Sequence, residues 1–244
     1  MLSLSTADSP AETSHDLNDP TDGPSGRSCV DGASAVIPQL TPQSLLKAVE
    51  GLASADANLA ASVQRYGPPP LWAREPAFAT LVHLILEQQV SLASARAAFE
   101  RLKAALGGAI EPPRFLALSE SDLRGIGFSR QKGGYARELA VAFIDGFDLD
   151  HLKRRPDDEV RASLMQLRGV GRWTADIYLI MCLRRVDVWP HGDQALAAAA
   201  RELFGLSSRP AFAELELRAE AWRPHRATAA RILWHHYLSV RGRS

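Results

Sequence analysis

The residue best placed to do chemistry is Asp193, which follows Pro190-His191-Gly192 and precedes an apolar run from Ala195 to Leu203. An Asp directly before a helix usually caps it, because its side chain accepts hydrogen bonds from N–H groups of the first turn. The same helix N-terminus also keeps a carboxylate ionised. An ionised carboxylate stabilises positive charge that develops nearby, as when the bond between a sugar and a base breaks. The sequence alone leaves both roles open for Asp193.

The second chemical feature is a loop with two glycines, Leu167-Arg168-Gly169-Val170-Gly171, which leads into a helix. Gly169 and Gly171 can both adopt positive φ, so we expect a tight turn that brings backbone N–H groups forward. These groups lie beside the unpaired donors of the next helix's first turn, and together they favour a phosphate. Such a loop holds a nucleic-acid backbone without reading its bases. A lone G-V-G also marks ordinary turns between two helices.

One tryptophan near this loop is able to contact a base. Trp173 begins the helix after the loop, and Ile177, four residues further on, lies on the same helix face. Such a stripe is usually core, and core is our expectation for Ile177 and Tyr178. Trp173 lies at the end of the helix rather than in its middle, where an aromatic ring can stack on a base extruded from a double helix.

Composition excludes several classes of protein. The 244 residues are 46% apolar and include two cysteines, too few for a disulfide framework or a four-thiolate metal site. The histidines at 191, 225, 235 and 236 lack the paired spacing of a zinc helix, so we expect surface histidines and no metal. No segment is long and apolar enough to cross a bilayer, and no signal-peptide pattern is present. We therefore expect a cytoplasmic protein, or a nuclear one in a eukaryote.

Charge is unevenly distributed although the formal net charge is zero. Residues 1–38 carry six acidic residues and one basic residue, whereas residues 151–244 carry 16 Lys and Arg against 10 Asp and Glu. A modest basic bias favours contact with phosphates without requiring it. Residues 1–38 also lack aromatic side chains and are rich in Ser, Asp, Gly and Pro, which predicts a disordered tail before a folded domain at 39–244.

From residue 39 onward, apolar residues recur at helical spacing and no alternating strand pattern is present, which predicts an all-α fold. Capping residues predict helix starts at Thr41, Asp56, Ser91 and Ser119. The predicted helices cover about 41–52, 56–65, 78–87, 91–106, 119–123, 130–145, 157–166, 172–184, 194–204, 210–221 and 226–240.

A sequence similar to the two-glycine loop occurs earlier in the chain. Leu123-Arg124-Gly125-Ile126-Gly127 precedes the matching segment at 167–171 by 44 residues. Two copies do not make a repeat array, which needs several units. They predict two helix-joining loops of like geometry that face one partner.

Together, the loop, Trp173 and Asp193 resemble the helix-hairpin-helix DNA glycosylases, specifically the DNA-3-methyladenine glycosylase II type, over about residues 70–240. The segment Leu167 to Asp176 is similar to the family's phosphate-gripping hairpin. Asp193 falls at the position of the family's catalytic Asp. The resemblance implies two helical subdomains with a DNA-binding cleft between them.

The resemblance also implies roles for other residues. The base pocket would be formed by Trp173, Ile177 and Trp234. Ser129 or Arg130 would be the wedge that fills the gap left by a flipped base. The other expected DNA contacts are Gln89, Ser91, Gly169, Val170, Gly171 and Thr174.

The implied function is base-excision repair, in which alkylated purines of the 3-methyladenine and 7-methylguanine type are flipped out and released by hydrolysis of the N-glycosidic bond. Relatives that also cut the DNA backbone carry a Lys at the position of Trp173, so a glycosylase without lyase activity is implied. We expect double-stranded DNA with alkylated bases as partner and a monomeric protein. No cofactor is expected, apart from an optional structural monovalent cation at the hairpin.

Two other functions remain open from the residues. A non-catalytic helix-hairpin-helix DNA-binding module would use Asp193 only as a helix cap. A helical enzyme acting on a small molecule would have no role for the paired loops and fits the sequence less well.

Overall fold

The computed structural model describes residues 37–242, and within them the chain is helical, with one isolated bridge between Gln39 and Arg185 and no longer strand. The all-α prediction is confirmed. The predicted disordered tail at 1–38 lies outside the described residues except for its last two positions. None of the described helices combines the length and apolar character needed to span a membrane.

The described helices follow the predicted order. They are α1 Pro42–Ala55, α2 Ala57–Tyr66, α3 Phe78–Glu87, α4 Leu92–Ala105, α5 Pro112–Leu116, α6 Glu120–Ile126, α7 Arg130–Ile144, α8 Leu149–Leu152, α9 Asp157–Met165, α10 Arg172–Met181, α11 Gln194–Leu203, α12 Phe212–Ala219, a 3₁₀ turn Glu220–Trp222, and α13 Arg226–Val240. Two of these, α5 and α8, were not predicted because one or two turns are too short to show a helical period.

Local capping chemistry fixes several helix starts. Thr41 and Ser119 each accept a hydrogen bond from the third residue of the helix that follows. Asp56 caps α2 and Ser91 caps α4 in the same way. These four predicted starts are confirmed, because a cap depends only on residues within one turn.

Two groups of helices build the core. In the first, α3 packs against α4 and α7, α5 packs against α7, and α6 contacts both α4 and α7. In the second, α13 packs against α1, α2 and α11. Buried alanines on α11 and α13 let these two helices approach closely, which fixes the position of the N-terminus of α11. The pair α9 and α10 contacts the first group through α3.

The two similar loop sequences, 123–127 and 167–171, differ in backbone geometry, so the prediction of two loops with like geometry was wrong. In the first, Gly127 has a φ of 116° and ends α6, and Gly125 lies inside that helix. In the second, Gly169 has a φ of 84° and Gly171 is extended, with a φ of −89°. The left-handed residue is thus the second glycine in one copy and the first in the other.

Candidate active site

A cleft of about 1900 Å³ opens between the two groups of helices. Its walls come from the α3–α4 turn, the two-glycine loop, α10, the start of α11 and α13. Ten of the predicted site residues line it: Gln89, Ser91, Gly169, Val170, Gly171, Trp173, Thr174, Ile177, Asp193 and Trp234. Ser129 and Arg130 are not among its lining residues, and Arg130 borders a neighbouring cavity of about 200 Å³.

Asp193 has both of its carboxylate oxygens engaged. Oδ1 accepts a hydrogen bond from the backbone N–H of Leu196 at 2.9 Å and so caps α11. Oδ2 accepts a hydrogen bond from Nε1 of Trp173 at 2.9 Å. The side chain is only 7% exposed, yet it lines the cleft. Capping of α11 therefore uses one carboxylate oxygen of Asp193. The other oxygen accepts the hydrogen bond from Trp173, which capping does not require.

Trp173 lies in the first turn of α10 and is half-buried. Trp173, Ile177 and Met181 are each four residues apart and all line the cleft, so one stripe of α10 forms a wall. Ile177 is 3% exposed, as expected for a core position, but it also borders the cleft. The contact between Trp173 and Asp193 was not predicted, since the sequence suggested only a stacking role for the indole.

A buried carboxylate supports the loop that carries Asp193. Asp176 is fully buried on α10 and accepts hydrogen bonds from Nε of Arg161 at 2.8 Å and from the backbone N–H of His191 at 3.2 Å. Burial raises the pKa of Asp176, and the Arg161 guanidinium opposes that rise. His191 lies two residues before Asp193, so Asp176 ties α9, α10 and this loop together. Sequence reasoning missed the role, although a charged residue among buried apolar neighbours was the available signal.

The first glycine of the hairpin is sterically required. Gly169 has a φ of 84°, and a Cβ placed there would lie 2.3 Å from Cγ of Tyr135. Gly171 differs, because its φ is −89° and a Cβ there would meet nothing within 4 Å. Both glycines can adopt positive φ, and in the structure only Gly169 does so. The exposed position of Gly171 in the cleft leaves room for a ligand's backbone.

Gln88 connects the α3–α4 turn to the hairpin. Its Nε2 donates hydrogen bonds to the carbonyl oxygen of Gly169 at 2.8 Å and to Oγ1 of Thr174 at 3.1 Å. The Thr174 side chain is 2% exposed, so its hydroxyl serves this internal contact. Val170 is also buried. Any contact of Thr174 or Val170 with a partner would therefore use backbone atoms.

The α3–α4 turn itself is strained and firmly held. Gln89 is exposed and has a φ of 58°, a conformation uncommon for a residue with a side chain. Nζ of Lys132 donates hydrogen bonds to the carbonyl oxygens of Leu86 and Gln88, each at 2.7 Å, at the C-terminal end of α3. Burial lowers the pKa of Lys132. The ammonium group thus satisfies carbonyls that α3 leaves unpaired.

The predicted surface location of the histidines is wrong for His236. This side chain is buried, its Nδ1 lies 3.2 Å from Oγ of Ser62, and its ring packs edge-on against Tyr66. Its place on the inner face of α13 explains the burial. Among residues 37–242, no group of three or more His, Cys, Asp or Glu side chains is arranged to hold a metal ion.

Comparison with known proteins places this geometry in a family. The relatives include the alkylbase DNA glycosidase-like protein mag2 of Schizosaccharomyces pombe, 28% identical over 77% of this chain and 92% of mag2. DNA-3-methyladenine glycosylase 1 of the same organism is 29% identical over 78% of this chain and 87% of its own length.

Solved structures agree. The S. pombe 3-methyladenine DNA glycosylase in complex with abasic DNA superposes with a TM-score of 0.72 at 27% identity, covering 80% of this chain and 97% of that one. The profile of the HhH-GPD superfamily base excision DNA repair proteins matches residues 82–224. The resemblance seen in the hairpin, Trp173 and Asp193 is confirmed, and the chain belongs to the HhH-GPD superfamily of base excision DNA repair proteins.

Proposed function

We propose that this protein is a DNA glycosylase that releases alkylated purines by hydrolysis of the N-glycosidic bond. The observation that carries the proposal is that the Asp193 carboxylate lines the cleft and accepts a hydrogen bond from Trp173 through one oxygen. Cleavage of the N-glycosidic bond develops positive charge on the sugar, and a fixed anion stabilises that charge. A purine alkylated at N3 or N7 is already cationic and leaves without a strong general acid, so one carboxylate suffices.

The walls around Asp193 suit a flipped base. Trp173, Ile177 and Trp234 give the cleft an apolar and aromatic lining beside the carboxylate. A base extruded into such a cleft is held by stacking on aromatic and apolar side chains. Asp193 caps α11, so the partial positive charge of that helix N-terminus lies beside the carboxylate.

The hairpin in the same cleft provides the contact with DNA. Gly171 is exposed at the N-cap of α10, where unpaired backbone N–H groups favour a phosphate. Gln89 and Ser91 line the same cleft on the α3–α4 turn, which Gln88 joins to the hairpin, and would contact the strand beside the flipped nucleotide. The wedge role of Ser129 or Arg130 stays a prediction, and their place outside the cleft makes them the least supported of the DNA contacts.

The absence of lyase activity has its own support. Cleavage of the DNA backbone by this family type requires an amine that attacks the sugar. Among the described residues, no lysine lines the cleft. Nζ of Lys132, near the α3–α4 turn, is held by two backbone carbonyls. We therefore propose that water is the nucleophile and that no cofactor takes part.

The optional cation at the hairpin stays a prediction, as do the monomeric state and the cellular location.

The deciding experiment compares wild type with Asp193→Asn in release of 7-methylguanine from duplex DNA under single-turnover conditions. Asn is a good helix cap and nearly isosteric, so α11 should keep its start. We expect release to fall by about two or more orders of magnitude, with DNA affinity changed less than threefold. Equal release by both proteins would reject the catalytic role of Asp193. DNA binding without release by wild type would instead support the non-catalytic binding module.

A further inference from the structure

A run of hydrogen bonds joins three loops of the proposed DNA interface. Oγ of Ser129, in the α6–α7 loop, accepts a hydrogen bond from the backbone N–H of Lys132 at 3.2 Å. Nζ of Lys132 donates to the carbonyl oxygen of Gln88 at 2.7 Å, and Nε2 of Gln88 donates to that of Gly169 at 2.8 Å. Lys132 therefore links the α6–α7 loop to the α3–α4 turn, and Gln88 links that turn to the hairpin.

The ammonium group of Lys132 lies where α3 requires a donor. The helix ends at Glu87, and the next residue, Gln88, is extended, with a ψ of 125°. The last carbonyls of a helix have no N–H partner further along the chain, and they form the negative end of the helix dipole. Nζ donates to the carbonyl oxygens of both Leu86 and Gln88. A neutral side chain without donors would leave both oxygens without this cation.

This support lies directly beneath a strained residue. Two of the described residues with a side chain and a positive φ line the cleft, Trp72 at 46° and Gln89 at 58°. Such a conformation persists only where the surroundings enforce it. For Gln89 the enforcing contacts lie on the residue before it, because Lys132 holds the main chain of Gln88 and Gly169 holds its side chain. The exposed tip of the turn is thus fixed from two sides.

The tip itself suits contact with stacked bases. Val90 and Leu92 are 46% and 56% exposed although both are apolar, and both line the cleft beside Gln89. Apolar side chains that enter between base steps unstack them and kink the duplex. An element that separates stacked bases must keep its own shape under that load, so it needs side chains that lock it in place. Lys132 and Gln88 are such side chains.

We propose that Lys132 is a positioning residue for base extrusion. It holds the α3–α4 turn and the α6–α7 loop in one arrangement, so that the turn unstacks the duplex while the hairpin grips the phosphates. The proposal rests on the DNA glycosylase function proposed above. Lys132 does not line the cleft, and its Nζ is engaged by two carbonyl oxygens, so phosphate binding does not need it. Loss of Lys132 therefore separates extrusion from DNA binding.

The test measures unstacking and binding separately, in the Asp193→Asn background so that no base is released. Two duplexes carry 2-aminopurine, whose fluorescence rises on unstacking, next to either 7-methylguanine or guanine. Lys132→Met keeps the unbranched apolar stem but removes the charge and the donors. At saturating protein, the fluorescence rise with 7-methylguanine should fall by about tenfold, as expected for the loss of hydrogen bonds to a charged group. Affinity for the guanine duplex should stay within about threefold, with the same salt dependence.

Three variants serve as comparisons. Lys132→Arg restores a cation with several donors and should recover most of the rise. Gln88→Leu breaks the next link with the charge of Lys132 intact, so it should also lose the rise, and it keeps the proposal testable if Lys132→Met does not fold. Lys153→Met is the matched control, because Lys153 pairs with the exposed Asp150 and does not line the cleft. It should leave both the rise and the affinity unchanged.

The outcomes separate this proposal from the catalytic one. An unchanged rise in Lys132→Met or in Gln88→Leu would overturn it, as would a loss of duplex affinity as large as the loss of the rise. The lack of any rise with the Asp193→Asn protein itself would overturn it as well. A rise that depends on Lys132 supports the positioning role even if wild type releases no 7-methylguanine, in which case only the catalytic proposal fails.

Discussion

Nε1 of Trp173 donates a hydrogen bond to Oδ2 of Asp193 at 2.9 Å, across twenty residues of sequence. A residue in the first turn after the hairpin is therefore hydrogen-bonded to the N-cap residue of α11. Through this hydrogen bond, DNA held by the hairpin would have a fixed position relative to the Asp193 carboxylate. A hydrogen bond to a charged group contributes about 1.5–3 kcal/mol, enough to fix the orientation of the carboxylate.

The first prediction removes this bond while keeping an aromatic ring. Trp173→Phe should lower the single-turnover rate of methylpurine release by about ten- to a hundredfold, because Asp193 loses a donor worth about 1.5–3 kcal/mol. The protein offers a matched control in Trp222, whose Nε1 donates to Oδ2 of Asp56 at 3.0 Å. Asp56 caps α2 as Asp193 caps α11.

Trp222→Phe therefore breaks the same kind of bond between two residues that do not line the cleft. It should lower the melting temperature and leave the rate of the folded protein within about twofold. If both variants lose rate equally, the bond between Trp173 and Asp193 is structural only.

The second prediction separates the two glycines of the hairpin. Gly171→Ala should leave thermal stability nearly unchanged, because its φ suits any residue and a Cβ there meets nothing within 4 Å. It should weaken DNA binding about tenfold if phosphate approaches this backbone closely. Gly169→Ala should destabilise the fold by roughly 1–3 kcal/mol, since its φ is positive and Tyr135 blocks the Cβ.

Thermal melts and fluorescence anisotropy with a duplex at two salt concentrations check both variants. Binding through phosphates should weaken steeply as salt rises. Normal DNA affinity in Gly171→Ala would show that the hairpin is not part of the proposed DNA interface.

Local features of the site could be predicted from the sequence, and distant pairings could not. Asp193 as a cap follows from its place before an apolar run, since capping needs only the next three residues. The bond from Gln88 to Gly169 joins residues 81 positions apart and has no local signature. The sequence also could not show which of the two glycines adopts positive φ, because a glycine permits that conformation without requiring it.

The missed residues share a different cause. Arg231 and Asp176 are charged side chains with no exposure, whereas charged residues are usually assigned to the surface. Trp72 follows a proline run that gives no helical period, and its strained backbone is imposed by contacts with α10 and α13. Such positions become visible only once the tertiary packing is known.

The third prediction concerns the support of the loop that carries Asp193. Asp176→Asn should lower the rate of base release at least tenfold while DNA affinity stays within about threefold, because the backbone N–H of His191 loses a charged acceptor. Its stability should fall by about 1–3 kcal/mol, because the partly exposed Arg161 and the backbone N–H of His191 lose a charged acceptor. Rates must therefore be measured well below the melting temperature.

Asp158→Asn is the matched control, since Asp158 is the exposed second partner of Arg161. It should change neither rate nor stability by much, because exposed ion pairs contribute little. A normal rate in Asp176→Asn would show that the loop holds Asp193 in place without this carboxylate.

The last prediction is a pH dependence that comes from α13. Burial lowers the pKa of His236, so the folded protein keeps this ring neutral at a pH where the unfolded chain binds a proton. A lowered folded-state pKa gives stability that is present above the ordinary value of 6.5 and is lost as the pH falls below it. The loss for one such group is at most about 1.4 kcal/mol per pH unit. Burial also lowers the pKa values of His83 and His235, which add to the same slope.

Urea denaturation of wild type and His236→Gln between pH 7.5 and 5.5 measures this contribution. We expect the variant to be less stable at pH 7.5, because the contacts with Ser62 and Tyr66 change, but to lose less stability on acidification. His151→Gln, at an exposed position, is the control and should keep the wild-type slope. If His236→Gln also keeps that slope, His236 is not neutralised by folding, and the acid sensitivity comes from other groups, such as the partly buried His83 and His235.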